Sequence, residues 1–237
     1  MLTELELNDS LSKDLLLESK VKKMFEMQHE LNKIIHPEWY SEENEAAGWD
    51  FQRAIAVELA ELMDHFGYKW WKHHSSNKEQ CQLEVIDIAH FYISYVIQKS
   101  IRTWQEPYAF VSDFTKELKE IDVSDVTGSD TREFIDHCMV AAASKQFRAK
   151  DLNGLINIFG ITPNELCNTY IIKNTLNIFR ARNGYKNGTY KKVWNWKEDN
   201  EVLVEIVSSI DEDMANSETF PDFLYDELTK RYQEVLE

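Results

Sequence analysis

Apolar positions recur at helical spacing along most of the chain. After Asp50, the residues Ile55, Leu59, Leu62 and Phe66 form a stripe of about 3.6-residue period, which predicts an amphipathic helix. Gly67 follows as a C-cap, since glycine accepts the left-handed backbone that ends helices. The polar "KHHSSN" then connects to a second helix, capped by Ser76 or Asn77 and running to about Ser100. Upstream, residues 21–36 predict a first core helix that ends before Pro37, preceded by an acidic stretch, 1–20, read as a frayed or accessory helix. Residues 37–49 predict a loop. Pro163 opens a helix that reaches Arg182, and "NGYKNGTYKKVWNWKEDN" after it predicts a polar loop with two Asn-Gly dipeptides. Residues 200–237 predict one or two amphipathic helices. Between 104 and 165 the pattern is less regular: "KEIDVSDVTGSD", acidic and turn-rich, separates helical pieces and reads as an insert or lid-like subdomain.

Composition points the same way. A chain of 237 residues with 43% hydrophobic content can bury a core in one large domain. Only 7 Gly and 4 Pro are present, too few for the frequent turns of sandwiches and barrels. The expected fold is an all-α helical bundle in a single catalytic domain, 1–237. Residues 21–103 and 163–205 make its core and site, and 104–162 an insert or subdomain. The formal charge of -16 sets the chain against nucleic acid and anionic membranes; binding a small polyanion would need a local reversal of sign, most simply a bound cation. Cys81, Cys138 and Cys167 are widely spaced and odd in number, as expected of buried or free thiols in a reducing cytosol. The N-terminal "MLTELELNDS" lacks the basic start of a signal peptide, and the apolar run Val85–Ile97 is too short to span a bilayer and contains Asp87. A cytoplasmic protein is expected.

The chemistry concentrates in an acidic pattern, ExxE, twenty-two residues, then ExxD: Glu58, Glu61, Glu84 and Asp87. Each pair stands at i, i+3, about 60° apart on one helix face. Two helices joined by a short link pack antiparallel, which can bring the four carboxylates together. ExxE alone is more often a solvated face. Asp87 argues against that, because "VIDIAHFYISYVI" is otherwise apolar nearly all round and a buried carboxylate is costly unless paired or metal-bound. Clustered oxygen ligands without Cys or grouped His favour Mg²⁺ or Mn²⁺ over zinc. His90, one turn after Asp87, is either an orienting partner of Asp87 or a core histidine. Against the acidic background, residues 173–197 carry Lys173, Arg180, Arg182, Lys186, Lys191, Lys192 and Lys197 with no acid. This segment suits a triphosphate tail; the plainer readings are an interface or, with Tyr185, Tyr190, Trp194 and Trp196 interleaved, an RNA patch.

The stretches "MFEMQHELNK", "VELAELMDHFGYKWWK", "LEVIDIAHF" and "IKNTLNIFRARNGYKNGTYKKVWNWKEDN" together resemble the dimeric all-α dUTPases, a branch related to dCTPases and MazG-like nucleotide pyrophosphohydrolases. The acidic pattern belongs to the whole superfamily; the "FR…NGYK.G.YKK.W" segment points to the dUTPase branch. The resemblance implies the helical bundle of that superfamily, a homodimer, and hydrolysis of dUTP and dUDP to dUMP with two or three Mg²⁺ ions. It implies that Glu58, Glu61, Glu84 and Asp87 ligate the metal, with Glu61 or Glu58 acting on the attacking water. Gln28 and Asn32 match the amides that read the base, and Trp71, with Trp70, matches an aromatic wall. Lys173, Asn177, Arg180, Tyr185, Lys186, Lys191 and Asn200 fall where sugar and phosphates are gripped. Tyr68 stands where many members have Trp, and Trp196 where many have Gly. The alternatives are a dCTP or house-cleaning nucleotide pyrophosphatase, and a non-catalytic acidic module that binds a protein partner.

Overall fold

The computed structural model describes residues 4–43, 49–120 and 131–236. The expectations for 44–48 and for most of "KEIDVSDVTGSD" fall outside these residues. The first helix, α1 (Glu4–Ile35), joins the stretches expected as an accessory and a core helix into one element. No Pro or Gly interrupts it, and Val21, Met24, Phe25, Gln28, Leu31 and Asn32 line its buried face. Helix α2 (Phe51–Phe66) begins at Asp50, whose side chain accepts the amide of Arg53, and ends at Gly67 with φ 94°. The cap of α3 (Lys78–Arg102) is Asn77, accepting from the Gln80 amide. The short link folds α3 back along α2.

The middle of the chain supplies α4 (Val111–Lys119), α5 (Thr131–Ala143) and α6 (Ala149–Ile158). They pack on α1, α2 and α3 respectively, and Phe114, Leu118, Ile135, Cys138 and Leu152 join the same apolar core as the flanking helices. Gln52 of α2 clamps the loop before α6 with two bonds to the Phe147 backbone, donating to its carbonyl at 3.1 Å and accepting its amide at 3.2 Å. Helix α7 (Pro163–Arg182) starts with a capping box between Thr162 and Glu165 and packs along α1.

The segment expected as a plain loop is more ordered than that. A 3₁₀ turn at Tyr185–Asn187 leads to a hairpin of β1 (Val193–Trp194) and β2 (Lys197–Glu198). Asn195 and Trp196 make its two-residue turn with φ 47° and 73°, the type I′ conformation that matches strand twist. The hairpin feeds α8 (Asp199–Ser208), α9 (Glu212–Ala215) and α10 (Phe220–Leu236), which packs on α7. Trp194 is buried there among Phe179, Tyr190 and Tyr232. All three cysteines are free and buried. No helix among the described residues is long and apolar enough to cross a membrane.

Candidate active site

On α3 the residues Glu84, Asp87, His90 and Ser94 follow one another at three- and four-residue steps, so they share a face. Glu58 of α2 meets the start of that face. Carboxylate oxygens of Glu58, Glu84 and Asp87 all lie within 4.8 Å of one another. Glu61 is exposed and stays outside this trio, although its charge reaches Glu58. From α7, Lys173 Nζ contacts Asp87 Oδ2 at 2.5 Å. His65 Nε2 stands 3.4 Å from Glu84 Oε1. Sequence reasoning passed over His65, although it lies one turn beyond Glu61 and two beyond Glu58 on α2.

The trio is short of positive charge. Burial pushes the Glu58 carboxyl up to about 8, and the charges of Asp87, Glu61 and Glu84 add to the effect. Burial and Asp87 raise Glu84 as well, while Lys173 works against the rise. Glu58 and Glu84 share a hydrogen bond, as two carboxyls do when one holds a proton. A divalent cation would replace that proton, and an all-oxygen trio suits Mg²⁺ or Mn²⁺.

His90 takes the core role of the two expected for it. Its Nδ1 donates to the Ile86 carbonyl at 2.7 Å, its ring stacks on Tyr170 at 3.9 Å, and Asp87 is 3.9 Å away. Burial lowers its pKa to about 4, which keeps the ring neutral.

Beyond His90 the polar face continues into a buried amide network. Gln28 is only 4% exposed and Asn32 6%. Gln28 Oε1 accepts from Tyr170 Oη at 2.7 Å and from Asn174 Nδ2 at 2.8 Å; Gln28 Nε2 donates to Asn32 Oδ1 at 3.1 Å. Asn32 Nδ2 donates to Ser94 Oγ at 3.0 Å, and Ser94 donates to the His90 carbonyl at 2.9 Å. The α3 acids, Lys173 and the amides thus form one seam between α1, α3 and α7, with Glu58 reaching in from α2.

The remaining candidates have other partners. Trp70 and Trp71 project from the loop after α2, with Trp71 edge-on to Tyr68 and Trp70. Arg180 holds the fully buried Asp199 with two bonds of 2.7 Å, and Tyr190 Oη donates to the same carboxylate at 2.8 Å. Arg180 also donates to Asn200 at 3.1 Å and Asn177 at 3.4 Å, and lies over the Tyr185 ring. Lys186 and Lys191 rest on the carbonyls of Ile35 and Val235, each at 2.9 Å. Asp199 was not foreseen; its partner is nineteen residues back along the chain.

No curated protein matches the sequence. A family model for dUTPase matches residues 20–185, a span that takes in the amide network, the acidic trio, the middle helices and all of α7. With most of the chain covered by that match, and an oxygen-ligand trio where a nucleotide's phosphates would need a cation, this chain belongs to the all-α dUTPase family, enzymes that hydrolyse dUTP to dUMP and pyrophosphate.

Proposed function

We propose that this chain is a Mg²⁺-dependent dUTP pyrophosphohydrolase that also accepts dUDP, and so keeps uracil out of DNA. The observation that carries this reading is the under-neutralised trio Glu58, Glu84 and Asp87, facing Lys173 and backed by a buried amide network. The three carboxylates hold the metal, with Glu61 at the exposed edge. Mg²⁺ held there would neutralise phosphate oxygens and lower the pKa of the attacking water. Glu61, open to solvent, orients that water and takes its proton; Glu58 is the nearest second acceptor. Lys173 adds a fixed positive charge beside the trio, where phosphate charge builds up.

Gln28 and Asn32 read the uracil edge, while Trp71, flanked by Trp70, closes over the ring. Asn177, Arg180, Tyr185 and Asn200 line the sugar and phosphate path along α7 and the start of α8. Lys186 and Lys191 join them by exchanging neutral carbonyl partners for phosphate oxygens, whose negative charge adds the attraction of opposite charges. The functional unit is a cytoplasmic homodimer of single catalytic domains.

The test is pyrophosphate release from each deoxynucleoside triphosphate, with Mg²⁺ and with EDTA. We expect dUTP to be the best substrate and EDTA to abolish turnover. A preference for dCTP or a damaged nucleotide would replace the substrate. No release from any nucleotide, with no Mg²⁺-induced rise in melting temperature, would leave an acidic partner-binding module.

A further inference from the structure

The amide network carries a direction. A serine hydroxyl facing a backbone carbonyl must donate to it, so Ser94 Oγ can offer Asn32 only a lone pair. Asn32 must then turn its Nδ2 toward Ser94 and its Oδ1 toward Gln28. Gln28 must in turn meet that oxygen with Nε2 and aim Oε1 at Tyr170 and Asn174. At the far end nothing fixes this order. The Tyr170 hydroxyl can donate or accept, and Asn174, whose Oδ1 has no partner, can turn over. The irreversible anchor is the Ser94–His90 carbonyl bond, fully buried on α3.

A donor, Gln28 N–H, therefore stands beside an acceptor, the Asn32 oxygen. Uracil offers O4 and N3–H at neighbouring positions, acceptor then donor. Cytosine offers an amino group and a bare N3 at the same two positions, donor then acceptor. The ring cannot turn over to compensate, because its triphosphate is held at the other end of the seam. Asp87 and Ser94 are seven residues apart on α3, about 10 Å of helix, the reach of a nucleotide from base to phosphates. Resting on Gln28 and Asn32 as the base contacts, we propose that Ser94, which does not touch substrate, sets their order of donor and acceptor and so selects uracil against cytosine.

The readout is the ratio of kcat/KM for dUTP to that for dCTP. Ser94→Ala frees Asn32, and Gln28 can follow it; the ratio should fall at least tenfold, mainly through gained turnover of dCTP. Ser94→Cys keeps most of the volume, weakens the donor and should give an intermediate ratio, which covers the case of an unfolded Ala variant. Tyr170→Phe removes a reversible partner, so it should lower both substrates together and leave the ratio nearly unchanged. Thr115→Ala, which deletes an equivalent buried hydroxyl bonded to the Val111 carbonyl on α4, should change nothing in the ratio. If both Ser94 variants keep the wild-type ratio, or lose both substrates in parallel, Ser94 is merely structural and the proposal is overturned. A wild-type protein that prefers dCTP also overturns it while leaving the pyrophosphohydrolase standing. A wild-type protein inert on every nucleotide removes the proposed function itself.

Discussion

Helix α7 carries two charged sites with opposite balances. At Lys173, one ammonium bonds Asp87 within a cluster of three carboxylates, and burial, with the surplus negative charge adding to it, makes Glu58 and Glu84 bind protons more tightly. Two turns on, at Arg180, one guanidinium meets one fully buried carboxylate in a two-point contact, with Tyr190 and Asn200 completing the set. Both are rich in charge, so composition does not tell them apart. The difference lies in saturation. Asp199 and Arg180 satisfy each other and hold the hairpin and α8 against α7, whereas the trio is left with a charge that a cation would complete. An unbalanced carboxylate cluster is where a cation would act; the balanced buried pair holds the loop in place and with it keeps Arg180 on the proposed phosphate path.

The sharpest way to break this distinction is to remove charge from each site. Glu84→Gln keeps the size of the side chain and deletes a ligand. Turnover should fall about a thousandfold, with an unchanged or raised melting temperature in EDTA, since a repulsion is lost too. Arg180→Ala should do the reverse in kind: a loss of about 3–5 kcal/mol in denaturant unfolding, because Asp199 stays buried without its counter-charge. Adding Asp199→Asn should recover part of that stability. If Glu84→Gln unfolded the protein while Arg180→Ala left it stable, the two sites would have been assigned the wrong way round.

Proton linkage gives a smaller but telling effect. The Glu58 carboxyl is raised to about 8 in the folded chain, so the metal-free native state holds a proton that the unfolded chain gives up near the ordinary carboxylate value. Its contribution favours folding at low pH and is lost as pH rises toward 8. In EDTA, the melting temperature should therefore decline from pH 5 to pH 8. Mg²⁺ should raise it more at pH 8 than at pH 5, because at pH 5 it competes with protons. Equal Mg²⁺ shifts at both values would show that the trio does not take the metal.

Much of this was legible in the sequence, for local reasons. Helices α2 and α3 carry both a 3.6-residue stripe and their own caps, Asp50, Gly67 and Asn77, so their bounds could be read within a residue or two. The i, i+3 acids lie on such helices, and a short link accounts for the convergence of three of them, Glu58, Glu84 and Asp87, while the expected fourth, Glu61, faces outward. What could not be read depends on pairing across elements. Arg180 reads as a free phosphate clamp until Asp199 is brought beneath it, and His65 is an ordinary polar residue until α3 folds back to present Glu84. The fusion of the first two predicted segments into α1 shows the opposite limit: composition changes at residue 20, but no residue there breaks a helix. Buried Lys20 even becomes part of the packing, donating to the side-chain oxygens of Asn164, Asn168 and Asn216 at 2.7–2.8 Å.

The hairpin before Asp199 offers the finest test of what the balanced site depends on. Two-residue strands are too short to show alternation, and Asn-Trp is not the Asn-Gly that announces a type I′ turn. Yet Trp196 sits at φ 73° with its side chain 98% exposed, a backbone position that suits glycine and a side chain that packs on nothing among the described residues. Trp196→Gly removes the left-handed strain of a bulky residue, about 1–2 kcal/mol, and gives back part of it through the greater freedom of glycine in the unfolded chain. The net expectation is a gain of about 0.5–1 kcal/mol in denaturant unfolding, delivered where the hairpin presents Asp199 to Arg180. Arg180→Ala should cost the same with or without Trp196→Gly if the turn only strains the backbone. A larger cost when the two changes are combined would show that turn and ion pair are coupled, and a loss of stability on Trp196→Gly would show that the exposed indole has a partner in the assembled protein that offsets its strain.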